Sequence, residues 1–184
     1  MGNERGAVLP AAQTPVTELD PRFSGADATA LPWSAASDLL ETAELFWIST
    51  VRPDGRPHVT TLLAVWMEGA LYFATGRAER KAKNLAENAN VVLTTGCNTF
   101  AGLDVAVEGE AMRQTDQAKL ERVAAQYVAK YGEEWRFYVR DGAFYHGAAA
   151  LVDDPGAAYV FEVTPKTVFG FGKGEPFSQT RWRF

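Results

Sequence analysis

At 184 residues, 47% hydrophobic and 22% charged, the chain can build one well-formed core and has an ordinary globular composition. Its net charge of −5 argues against a general nucleic-acid binder, which would carry a basic surplus. The single cysteine, Cys97, excludes an internal disulfide and makes a reducing cytoplasm the simplest setting; neither a signal peptide nor a run of membrane-spanning length is visible.

Residues 1–30, rich in Ala, Pro, Thr and Gly and without periodicity, read as a flexible N-terminal arm before a single domain over 31–184. Ser34 is placed to cap a short helix that runs to about Ala43 and buries Leu39 and Leu40. Residues 45–51 are apolar on both alternating faces, which predicts a central strand in a covered or closed sheet. The loop 52–57 holds two prolines and Asp54-Gly55, a hairpin signal, and returns the chain as a strand over 58–66. A turn at Glu68-Gly69 leads to a third strand, 71–75. A helix follows from about Arg77 to Glu87, with Ala78, Ala82, Leu85 and Ala86 on one face, Arg80, Lys83 and Asn84 opposite, and Lys81 at the border.

Residues 91–95 and 103–113 are the next two strands, the second bent by its small residues. Thr115-Asp116 caps a longer helix in which Leu120, Val123, Ala124, Tyr127, Val128 and Tyr131 keep helical spacing until Gly132 ends it. Residues 133–144, with Trp135, Phe137 and Tyr138, read as a further helix, and 145–157 as a loop of small residues. The last clear strand is 158–163, continued by 167–171, before the tail Gln179-Thr180-Arg181-Trp182-Arg183-Phe184.

Several chemistries lack their residues. Two histidines, His58 and His146, with no cysteine partner argue against a zinc site. There is no G-x-S-x-G elbow and no Walker loop, and Gly170-Phe171-Gly172 is followed by Glu175-Pro176 instead of a helix, so the dinucleotide fingerprint fails. Cys97 has no basic neighbour in sequence and reads as an incidental thiol.

What remains is a strand, a turn and a basic helix. A phosphate suits a helix start, where free backbone N–H groups and the dipole both favour negative charge. Arg80 would add a planar fork of donors, Lys81 a point charge and Thr75 a hydroxyl. The competing reading is a solvated basic face balanced by Glu79 and Glu87. Residues 58–61 likewise have two readings: ordinary strand formers, or an uncovered edge whose small Thr60 and Thr61 let a flat heterocycle approach the backbone. Trp182 and Phe184 could anchor the tail by packing or lie over a bound ring.

The order RPDGRPHVTTL, LYFATG and RKAKNLAENANVVLTTG closely resembles the pyridoxamine 5′-phosphate oxidase-like flavin-binding split-barrel superfamily, and within it the flavin- or deazaflavin-dependent reductases. The likeness covers residues 34–113 well and the tail less securely. It implies a mainly β fold with helices: a six-stranded antiparallel split β-barrel with peripheral helices, paired as a homodimer with a cofactor in each of two grooves between subunits. By position, Arg56, His58, Val59, Thr60 and Thr61 would line the ring, while Thr75, Arg80, Lys81 and Asn84 would hold the phosphate. Trp182 is the candidate for closing the groove from the other subunit. Many relatives carry proline where this chain has Thr61, and the substrate-phosphate motifs of the vitamin B6 oxidases are not evident. The resemblance therefore implies an oxidoreductase using FMN, or alternatively coenzyme F420, that passes hydride between the ring and a small conjugated or carbonyl substrate. His58 or Tyr145 could supply a proton. Two rivals belong to other classes: a non-catalytic flavin carrier or sensor on the same barrel, and a barrel for an apolar ligand without a redox cofactor.

Overall fold

The computed structural model describes residues 14–147 and 156–184. In chain order these residues form β1 (Val16–Leu19), α1 (Trp33–Thr42), β2 (Phe46–Val51), β3 (Pro57–Leu62), β4 (Ala64–Met67), β5 (Ala70–Gly76) and α2 (Arg80–Glu87). There follow β6 (Asn90–Thr95), β7 (Gly102–Gln114), α3 (Gln117–Tyr131), β8 (Phe137–Arg140), β9 (Ala143–His146), β10 (Ala158–Lys173) and β11 (Ser178–Arg183). The expected count of six strands gives way to eleven in one antiparallel sheet. Among the described residues no helix is long and apolar enough to cross a membrane.

The alternation in β2 sets the inside of this sheet. Phe46, Ile48 and Thr50 are buried, whereas Trp47 faces the other way and is exposed. The Asp54-Gly55 turn, with Gly55 at φ 82°, puts His58, Thr60 and Leu62 of β3 opposite Thr50, Ile48 and Phe46. Those three therefore share the inner face.

The single strand expected over 58–66 breaks at Leu63. β3 stays with β2, and β4 pairs with β5. A broken ladder strands backbone carbonyls, and α3 satisfies them. Tyr127 Oη donates to Leu63 O at 2.9 Å, and Tyr131 Oη and Lys130 Nζ donate to Ala64 O at 2.8 and 3.0 Å. Among the described residues pairing runs β4-β5-β10-β7-β6-β2-β3 without joining β3 to β4, so there β3 ends the ladder with one edge unpaired.

Inside lies a core of Phe46, Ile48, Leu71, Phe73, Leu93, Val107 and their neighbours, with Ala36 and Leu40 of α1 covering it. A second cluster fills the space between β5 and α3, which is capped by Asp116 Oδ1 accepting from Lys119 N at 2.7 Å. α1 begins after Pro32, so Ser34 sits within it and not at its cap.

Three further expectations change. The arm divides: residues 1–13 lie outside the described residues, but β1 pairs with β11, and Glu18 bridges Arg181 and Arg183. The helix expected over 133–144 is a hairpin of β8 and β9, because Asp141 and Gly142 both adopt positive φ (51° and 67°), the geometry of a two-residue hairpin turn. Of the loop expected over 145–157, Tyr145 and His146 belong to β9, and residues 148–155 lie outside the described residues. The segments 158–163 and 167–171 are one strand, β10, whose register shifts between Pro165 and Thr167.

Candidate functional site

α2 packs across the ends of β2 and β5, and the face it turns inward is polar. Lys81, Asn84 and Leu85, spaced i, i+3 and i+4, are buried, while Ala78 and Ala86 are exposed. Periodicity had put Asn84 on the solvent side. A helix does not bury a lysine and an asparagine without partners for them, since an unmet buried polar group costs about 1–3 kcal/mol.

Part of that demand is met locally. Asn84 Nδ2 donates to Thr50 Oγ1 at 2.9 Å, and Thr50 Oγ1 lies 3.3 Å from both His58 Nδ1 and His58 O. This line ties α2 to β2 and β3. Lys81, only 7% exposed, pairs with the Glu79 carboxylate, whose Oε1 accepts from Gly76 N at 2.7 Å. Burial works against the charge on Glu79, yet Lys81 and the Gly76 N–H together hold its carboxyl below the usual range.

The rest is unmet. Asn84 Oδ1, Thr75 Oγ1 and Thr60 Oγ1 are buried with no hydrogen-bond partner among the described residues. Thr75 lies close enough to Glu79 to help stabilise its charge but is not in bonding geometry. Whichever way the Asn84 amide faces, one of its polar atoms is left over. The surroundings are cationic: burial, then Arg52, Lys81 and Arg80 in turn, push the His58 imidazole below its usual range. The Thr75 hydroxyl and, with the amide turned so that Oδ1 accepts from Thr50, the Asn84 Nδ2 are donors left over beside concentrated positive charge, a set that suits an anion with several oxygens.

The sequence-derived residues separate into two groups. His58, Thr75, Lys81 and Asn84 gather around α2, with exposed Arg80 opening the helix and contributing charge, while Thr60 shares the inner sheet face with His58. Val59 and Thr61 face outward, Thr61 opposite Trp47. Arg56 is held in the hairpin by Asp54, with Nε to Oδ2 at 3.0 Å. Trp182 is wholly buried in its own chain's core, 5.6 Å from the Trp33 ring and so close to Gly170 that a Cβ there would lie 2.5 Å from the indole. It therefore cannot reach out to close a neighbour's groove.

Sequence reading missed Thr50, Arg52 and Glu79. Thr50 was recoverable from the hairpin register, which sets it opposite His58. Nothing in the sequence distinguishes Glu79 from an ordinary helix-start acid.

The chain belongs to the pyridoxamine 5′-phosphate oxidase family, whose model matches residues 33–171. Comparison with curated proteins finds no match. Among solved structures it is similar to the conserved hypothetical protein Rv2991 of Mycobacterium tuberculosis, at 19% identity and a TM-score of 0.60 over 80% of this chain and 88% of that one. HutZ, the heme storage protein of Vibrio cholerae, gives 20% identity and 0.56 over 76% and 92%. General Stress Protein 26 of Bacillus anthracis gives 19% and 0.54 over 74% and 91%. At these identities the likeness establishes the fold.

Proposed function

We propose that this chain is a flavin-dependent oxidoreductase that binds FMN, with F420 as the alternative coenzyme, and acts on a small substrate. The observation that carries this reading is the pair of buried side chains left with an unpartnered polar atom, Thr75 and Asn84, at the junction of β5 and α2 that also holds nearly buried Lys81. Thr75, Asn84 through its amide nitrogen, Lys81 and Arg80 would take the phosphate, the two cations neutralising it and Thr75 gaining the bond it lacks. The free edge of β3 offers backbone N–H and C=O groups to a heterocycle. When bound, the flavin supplies the hydride chemistry. The chain's part is to orient the ring, and no side chain of the site is required as an acid or base.

A homodimer fits the outer sheet face. Registers align Thr61, Trp47, Thr94, Ala106 and Phe169 in one row across five strands, with Val59 and Phe171 beside it; Trp47, Val59 and Phe171 are exposed. A second copy laid on this face would cover it and bring a second chain up to the β3 edge.

Titration of the purified protein with FMN and with F420, followed by fluorescence, tests the cofactor. Arg80→Ala with Lys81→Ala should lower affinity at least about a hundredfold, because two charge-assisted bonds of about 1.5–3 kcal/mol each are lost. Unchanged affinity would leave the apolar-ligand barrel as the better account. Tight binding without turnover by any nicotinamide or reduced deazaflavin donor would leave the carrier.

A further inference from the structure

Glu79 is the N-cap of α2, but its side chain makes no capping bond to that helix. It folds back instead, and its two oxygens take Gly76 N and Lys81 Nζ, a backbone donor and a cation. Those are the two kinds of group an anion would seek at this helix start. Thr75 borders the same carboxylate with its hydroxyl unbonded. The Glu79 side chain is half exposed, so it has open solvent to swing into, whereas Lys81 is enclosed and cannot follow it.

We propose that Glu79 is a resident anion in the phosphate cradle and the residue that makes the cradle select a terminal phosphate monoester over a phosphodiester. The proposal rests on the flavin-binding reading above. A tethered carboxylate competes at high effective concentration, so an incoming group must offer more than the one charge it displaces. A monoester such as that of FMN brings up to two charges and three free oxygens, enough for Lys81, Gly76 N and Thr75 together. The diester of F420 brings one charge and two free oxygens, no more than Glu79 already provides. A diester that leaves Glu79 in place meets like charge directly beside it.

The test is a fluorescence titration of wild type, Glu79→Gln and Lys81→Ala with FMN, riboflavin and F420, with thermal unfolding of each variant to confirm folding. Wild type should prefer FMN to both riboflavin and F420. Glu79→Gln should tighten F420 by about tenfold, tighten FMN less and leave riboflavin unchanged. Equal gains for FMN and F420, or weaker binding of both, would overturn the proposal, the second by making Glu79 a support that positions Lys81. If wild type binds riboflavin as well as FMN and Lys81→Ala alters neither, the cradle itself is absent, and the proposal falls with it by a separate signature.

Discussion

Tyr72 and Thr75 are both buried polar residues of β5, three positions apart and on opposite faces, and their surroundings differ in one respect. Around Tyr72 the polar groups are matched. Glu162, opposite it on β10, accepts from Gln114 Nε2 at 2.6 Å and from Lys119 Nζ at 3.0 Å. Burial, then the Glu162 charge, pushes the Tyr72 hydroxyl up to about 12, so it stays protonated. Around Thr75 the groups are left over, on Thr75 itself and on Asn84. A complete network welds β5, β7, β10 and α3 together and needs nothing further. An incomplete one of similar depth leaves room for a partner from outside the chain.

The sharpest way to break this contrast is to damage the complete network. Glu162→Leu removes the acceptor shared by Lys119 and Gln114, leaving two donors stranded. It should lower the unfolding free energy by about 1–3 kcal/mol in urea titration and leave FMN affinity unchanged. A fall in affinity as large as the fall in stability would mean that the two faces of β5 are not separable.

Asn84→Leu is the mirror experiment. It loses one hydrogen bond to Thr50 but also removes a buried oxygen with no partner, so the stability change should stay within about 1 kcal/mol. FMN affinity should fall by about tenfold, the equivalent of the one bond of about 1.4 kcal/mol that the Asn84 amide nitrogen would give the phosphate once the amide turns. Stability lost with affinity intact would turn the Asn84–Thr50–His58 line into ordinary packing.

The same contrast explains what could be read in advance. Strands β2, β5, β6 and β7 were legible because each repeats its apolar residues with period two against one core. The hairpin at Asp141-Gly142 was hidden by the aromatic residues before it, which fit a helix face as well as a strand. The break at Leu63 has no local signal, because the apolar alternation continues through it, and only α3, more than fifty residues later, supplies the donors that make it tolerable. β1 exists through its pairing with the far end of the chain. At the site, Lys81 and Thr75 follow from a strand leading into a basic helix, but the inward turn of Asn84 contradicts its polarity and comes from tertiary contact with Thr50.

The smallest expected effect is a dependence on pH, and it reports directly on the orphaned side. In the free protein, burial and the charges of Arg52, Lys81 and Arg80 hold His58 below 6.5, so the imidazole is neutral at pH 7. The unfolded chain binds this proton more readily, so this group's contribution to stability is present above pH 6.5 and is lost as pH falls from there through the lower folded value. A bound anion reverses the local field and raises the folded value. Binding then takes up a proton, and FMN should bind more tightly as pH falls through the interval between the bound and free values. The gain is at most about tenfold for each unit by which the value rises. Titration of the flavin phosphate runs the other way, so the informative quantity is the difference between wild type and His58→Gln, which keeps the ligand constant. A difference that is flat with pH would place the anion beyond the reach of His58 and detach β3 from the cradle; a difference that grows as the solution is acidified ties the helix start and the free edge into one site.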